Sequence, residues 1–261
     1  GGEQYDKDIT GFRLSAEWEP TENIRIRADY AETDDQSSAV AGWRPFPGAV
    51  SGIPSPSDVF DTNAGASTLP STAGINGSNQ VESEGWMVSV DWDLNEQMTL
   101  RSITAGREDL TESVIDFDSL PSDDFDAPVI YDNEQFSQEL QLLYNADRWN
   151  LVLGYYYLDS EAANDFDVVL GQIIPGGLTA YTGGTVETEA WSLFADLTYE
   201  LTDRLSLSVG GRYTEDERRA DIFRASYLGV GSPAFGVDNA FELSVSSDYE
   251  AQRTFYDFSP R

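Results

Sequence analysis

The chain is 261 residues long, 40% hydrophobic and strongly acidic, with a formal net charge of −32. Such a charge argues against binding a phosphate backbone, which needs a basic footprint, so nucleic acid is not an expected partner. Cysteine and histidine are both absent, which removes disulfides, thiolate nucleophiles, a Ser-His-Asp triad and His- or Cys-based metal sites together.

No apolar run approaches the ~18 residues of a membrane-spanning helix. What does recur is a strand, a tight turn and a second strand, four times over, with apolar and polar residues alternating. The first pair covers 7–19 and 24–34. Phe12, Leu14, Ala16 and Trp18 share one face, and Ile24, Ile26, Ala28 and Tyr30 continue it after the turn near Pro20. A connection over 35–83 follows, rich in Gly, Ser and Pro, which folds poorly without neighbours. The second pair, 84–94 and 98–113, places Trp86, Val88, Val90, Trp92 and Leu94 on its apolar face. In its second strand Leu100 and Ile103 fall on opposite faces, which predicts a bulge or a shifted register. The third pair, 134–145 and 148–162, turns near Ala146, with Leu151 and Leu153 apolar. In the fourth, 186–200 and 205–222, Trp191, Leu193, Ala195, Leu197 and Tyr199 alternate with Ser192, Phe194, Asp196, Thr198 and Glu200. A ninth strand is expected over 250–261, with long connections at 114–133, 163–185 and 223–249.

These features predict an all-β fold: the wall of an antiparallel transmembrane β-barrel, with short periplasmic turns and long extracellular loops. A strand rises about 3.3 Å per residue, so roughly 9–11 tilted residues cross the hydrocarbon, and the stripes have that length. A soluble sandwich alternates too, but its turns are of comparable length at both ends. Trp18, Trp92, Tyr144 and Tyr199 at the turn side fit the aromatic girdle of a barrel. The chain has no charged-then-apolar leader and no start methionine, and it stops inside a strand. An open sheet edge cannot face lipid, so 1–261 is expected to be part of a larger barrel, with a signal peptide and closing strands outside it.

Alternation sends Arg25, Arg27, Asp91, Asp93, Glu139, Asp196, Glu200 and Arg212, with Glu17 and Glu19, to the face opposite the lipid. There they hydrate a lumen and pair across strands. Between Glu108 and Glu134 the acids crowd without a lysine or arginine. That segment reads as a solvated, self-repelling loop, or as a divalent-cation site with Asp123, Asp124 and Asp126 as candidate ligands. The spacing lacks the glycine and bidentate glutamate of an EF-hand loop. Trp43, Phe46, Phe60, Phe117, Phe125, Tyr131, Phe166 and Tyr181 in the proposed loops could stack on a planar ligand or simply pack a loop. Gly176-Gly177 and Gly183-Gly184 read as loop punctuation. No catalytic or cofactor-binding residue emerges, because no acid sits in an apolar pocket as a candidate general acid.

In order, the phrases TGFRLSAEWEPTENIRIRADY, DWDLNEQMTLRSITAGRED, FSQELQLLYNADRWNLVLGYYYLDSE, AWSLFADLTYELTDRLSLSVGGRYTEDER and FSPR resemble the central barrel of TonB-dependent outer-membrane receptors, the siderophore-receptor-like branch most. The resemblance covers all nine strands but not the long loops. It implies a Gram-negative outer-membrane barrel of about 22 strands closed by a plug that lies outside 1–261, which would give the polar-face charges a second role, holding that plug by exchangeable bonds. It also implies energised import, with a TonB-type energy-transducing protein acting on the plug and no enzyme activity. The cargo it implies is a ferric siderophore or similar iron complex, with cobalamin or an oligosaccharide as alternatives. A passive porin would share the wall without the plug.

Overall fold

The computed structural model describes residues 7–37, 46–47, 52, 80–117, 125–239 and 241–260. Among these, nine strands form one antiparallel sheet in sequence order. They are β1 (Ile9–Thr21), β2 (Ile24–Asp35), β3 (Gln80–Asn95), β4 (Met98–Asp116), β5 (Asp126–Ala146), β6 (Trp149–Leu170), β7 (Leu178–Thr202), β8 (Leu205–Leu228) and β9 (Phe241–Pro260). The connections β1–β2, β3–β4, β5–β6 and β7–β8 are all tight. Side chains hold some of them: Asn95 Oδ1 accepts from the amides of Gln97 at 2.9 Å and Met98 at 3.1 Å, as turn asparagines do.

The strands run well past the expected limits at the end remote from these turns. Connection 114–133 shrinks to 117–125, 163–185 to 171–177, and 223–249 to 229–240. The acid-rich segment is therefore mostly a hairpin, paired without a break as far as Asp116 opposite Asp126. A ladder joins main-chain groups and does not need apolar alternation, so a strand solvated on both faces leaves no hydrophobic signature. For the same reason Gly183-Gly184 lies inside β7, while Gly176 and Gly177 do turn the chain, at φ +95° and +79°. The bulge expected near Leu100 and Ile103 is absent. β4 keeps one register with β5 from Met98 to Asp116, and Ile103 simply points to the polar face, opposite Ser89 and Glu139.

Cross-strand partners share a face, so register assigns the faces. One carries Phe12, Leu14, Trp18, Leu193, Leu205, Leu207 and Val209, all more than half exposed. A soluble protein rarely leaves so large an apolar surface in water. Aromatics border this stripe at both ends: Trp18, Trp92, Tyr144, Trp149 and Tyr199 near the tight turns, and Tyr30, Trp86, Phe136, Tyr157, Trp191 and Tyr213 at the other side. Among the described residues buried apolar side chains are few, and several lie beyond the second border, where residues 229–239 fold back over the sheet. Phe235 and Val237 there pack on Val114.

Candidate functional site

All eight charged residues predicted to share the polar face do so, and register groups most of them. Arg25, Asp91, Arg101, Gln141, Gly154, Phe194 and Arg212 form one transverse row from β2 to β8. The neighbouring row runs Glu17, Arg27, Ser89, Ile103, Glu139, Tyr156 and Ser192. Asp93 and Asp196 occupy a third, and Glu200 lies apart near the β7–β8 turn, opposite Ser206.

The row is wired by charge. Arg25 Nε donates to Glu19 Oε1 at 2.9 Å. Arg101 grips Asp91 with two bonds, Nε to Oδ1 at 2.6 Å and Nη2 to Oδ2 at 2.8 Å, the fork geometry that suits guanidinium and carboxylate. Glu139 accepts from Gln141 Nε2 at 2.6 Å. Arg212 lies over the rings of Tyr156 (5.5 Å) and Phe194 (5.9 Å), and donates from Nε to Thr214 at 3.2 Å. Gly154 makes that stack possible, because a Cβ there would run into the Phe194 ring. Sequence reasoning missed Arg101, and also Asp29, which accepts from Arg13, Arg27 and Ser15. The facing of Arg101 was findable, since it alternates with Leu100 of the stripe, but its partner was not: a plain Glu96–Gln97 hairpin would put residue 102 opposite Asp91, and the register shift between Asp93 and Asn95 brings Arg101 there.

A second feature went unread. Two residues beyond the outer aromatic, on the same face, stands a carboxylate: Glu32 after Tyr30, Glu84 before Trp86, Glu134 before Phe136, Asp159 after Tyr157, Glu189 before Trp191 and Glu215 after Tyr213. Register sets Glu32, Glu84, Glu108, Glu134, Glu161 and Glu187 in an unbroken line across β2 to β7. Tyr30 and Tyr157 donate to Glu32 (2.9 Å) and Glu189 (3.4 Å), tying the aromatic border to this acidic collar.

Of the cation candidates, Asp123 and Asp124 lie outside the described residues, and Asp126 is fully buried at the start of β5. Among the described residues no three carboxylates are grouped to hold a metal ion. Of the aromatics, Trp43 and Phe60 lie outside the described residues. Phe117 and Phe125 stack on each other, centroids 4.9 Å apart, closing the β4–β5 connection. Tyr131, Phe166 and Tyr181 belong to strands rather than loops, and the Tyr181 hydroxyl donates to Asp165 Oδ1 at 2.5 Å. Burial and that carboxylate push the Tyr181 phenol well above its ordinary value.

Residues 32–261 match the family described as TonB dependent receptor-like, beta-barrel. No curated protein matches the chain in sequence. Its fold is similar to the ferric yersiniabactin uptake receptor FyuA from Yersinia pestis, at TM-score 0.61 and 13% identity over 97% of this chain and 34% of that one. It is also similar to the ferric-catecholate import receptor Fiu from E. coli K12 in its closed form, at TM-score 0.56 and 13% identity over 97% of this chain and 40% of the receptor. The open form of Fiu gives TM-score 0.53 and 14% identity over 97% and 44%. The chain thus spans 34–44% of the length of these receptors, and the likeness is one of fold.

Proposed function

Because the chain belongs to the TonB-dependent receptor β-barrel family, whose members are transporters rather than enzymes, we propose that it is part of the wall of an outer-membrane importer that takes up a ferric siderophore or a similar iron complex. The observation that carries this reading is the two-faced sheet: apolar residues more than half exposed on one side, rows of paired charges on the other. The first face meets lipid. The second faces a lumen, where Arg25, Arg27, Asp91, Asp93, Glu139, Asp196, Glu200 and Arg212 contact a plug on which a TonB-type protein acts. β1 and β9 each need a further neighbour, because an unpaired edge is untenable in hydrocarbon. An iron complex is favoured over cobalamin or an oligosaccharide because receptors of similar fold are described as importing ferric yersiniabactin and ferric catecholates. The collar acids stand on the outward face, whereas the lumen side of the outer strands pairs Arg107 with Asp109 and Arg218 with Asp216, so the wall itself sets no sign for the complex.

The test is uptake of radiolabelled ferric siderophores of graded charge by iron-starved cells that carry or lack the complete receptor. Receptor-dependent uptake that an uncoupler abolishes supports the reading. Uncoupler-insensitive leakage of unrelated small solutes would make the barrel a porin, and energised uptake of cobalamin or oligosaccharide alone would replace the iron complex.

A further inference from the structure

The connection after β8, described over 229–239, does not stand away from the sheet as a free loop. Its residues Gly229–Asn239 curl back over the same face as the apolar stripe, beyond the acidic collar, and cover β5, β6 and β7. The segment is closed on itself: the Gly231 amide donates to Asn239 Oδ1 at 2.8 Å, and Asn239 Nδ2 donates to the Gly231 carbonyl at 3.3 Å. A side chain at Gly231 would meet the carbonyls of Asp238 (2.6 Å) and Val237 (2.8 Å), so the curl depends on glycine there.

Three points hold it down. Phe235 and Val237 lie on Val114. The Thr179 hydroxyl reaches the Gly229 and Gly231 carbonyls at 3.1 and 2.8 Å. Finally, Asp167 Oδ2 accepts from the Ser232 hydroxyl and, at 3.1 Å, from the Ala234 amide. Asp167, Thr179 and Ser232 are all completely buried.

The third point is chemically odd. Asp167 Oδ1 is buried and accepts no hydrogen bond among the described residues. Nor, among the described residues, does any cation face the carboxyl. On its own strand Asp165 is two residues away, on β5 Asp126 is a diagonal neighbour, on β7 Tyr181 stands directly opposite, and on β8 Tyr227 is near. Glu112 on β4 lies one row nearer the collar, and Asp238 is the titratable group of the segment itself. By register no lysine or arginine occupies this face within two positions of Asp167. An ion buried without a counter-charge is costly, whereas the neutral acid is tolerated.

We propose that Gly229–Asn239 is a proton-operated strap, latched over the outer strands by uncharged Asp167 and released when that carboxyl ionises. Burial raises Asp167 from its ordinary 3.8 to about 6, against the opposing pull of the Ser232 hydroxyl and the Ala234 amide, with Asp165 adding to the rise. The latched state therefore binds the proton more tightly than the open one. Closure is strongest below the ordinary value, weakens through the interval up to about pH 6, and levels off above it.

The test uses the complete receptor in lipid vesicles with Val114→Cys, a thiol on β4 that the strap covers and the first cysteine in this segment. Its labelling rate by a maleimide is measured with Asp167 intact and with Asp167→Asn. The ratio of the two rates cancels the thiol's own pH dependence. The ratio is expected to rise about tenfold between pH 5 and 7.5 and then flatten. Ser232→Ala should speed labelling at every pH and steepen the rise, since the ionised carboxylate loses a donor. A flat ratio, a ratio that falls with pH, or a thiol that stays unlabelled throughout overturns the strap.

Discussion

Val209 and Ser208 are adjacent on β8 and point to opposite faces, so the same substitution at each isolates the facing of the wall. Val209 lies midway along the β8 stripe between Leu205 and Tyr213, 53% exposed, opposite Leu197. Four residues separate it from either border, about 13 Å along a strand at ~3.3 Å per residue. An arginine placed there cannot bring its guanidinium fully to water on either side, although it leans towards one. Val209→Arg should thus cost about 2–4 kcal/mol, the range for a cation at mid-bilayer on a lipid-facing strand. Ser208 instead shares a hydrogen bond of 2.9 Å with Thr198 on the polar face. Losing that exposed bond, Ser208→Arg should stay within about 0.5 kcal/mol of the parent. The assay is the denaturant-driven folding equilibrium of the complete receptor in lipid vesicles, with the slope checked for constancy. Equal losses at the two sites, or a larger loss at Ser208, would refute the assignment of faces.

Gly154→Val should push the Phe194 ring off the wall and break its stack with Arg212, costing about 1–3 kcal/mol, with part recovered by adding Phe194→Ala; the same folding equilibrium reads both. A double-mutant cycle of Asp91→Asn and Arg101→Gln should return a coupling of about 1 kcal/mol, because the pair is bidentate yet partly exposed. No measurable coupling would make that row decorative. Glu108→Gln should stabilise the barrel slightly, since Glu84 and Glu134 stand directly across from Glu108. The gain should shrink as salt rises, and a denaturant series at low and high ionic strength checks it.

How much could be read in the sequence depended on whether a residue's partner was near and patterned. Faces were legible because a strand alternates with period two, which placed Asp91, Asp196 and Arg212 correctly without any contact being known. Extents were not. Beyond Trp86, Phe136 and Tyr157 the strands leave the apolar band, and residues such as Glu82, Asp132 and Asp165 look like loop although their main chains stay paired. Ile103 misled for a related reason: one apolar residue on a polar face imitates a slipped register. The Asp167–Ser232 contact was out of reach, since 65 residues separate the two and nothing local marks either.

The aromatic border near the tight turns carries one more consequence. Followed along paired rows, it slips towards the turns by two residues from Trp18 to Trp92, two more to Tyr144, two more to Trp149 and none to Tyr199. That is one residue per strand on average. With about 3.3 Å per residue and 4.8 Å between strands, a level border requires the strands to lean about 35°. A paired row is then not a hoop but a ramp. The row from Arg25 to Arg212 crosses six strand spacings and climbs about 17 Å on that pitch. Arg25 therefore sits beside the turn-side mouth while Arg212 stands one residue short of the outer aromatic border at Tyr213. Charges that are neighbours through the backbone ladder would address a seated plug at successive depths.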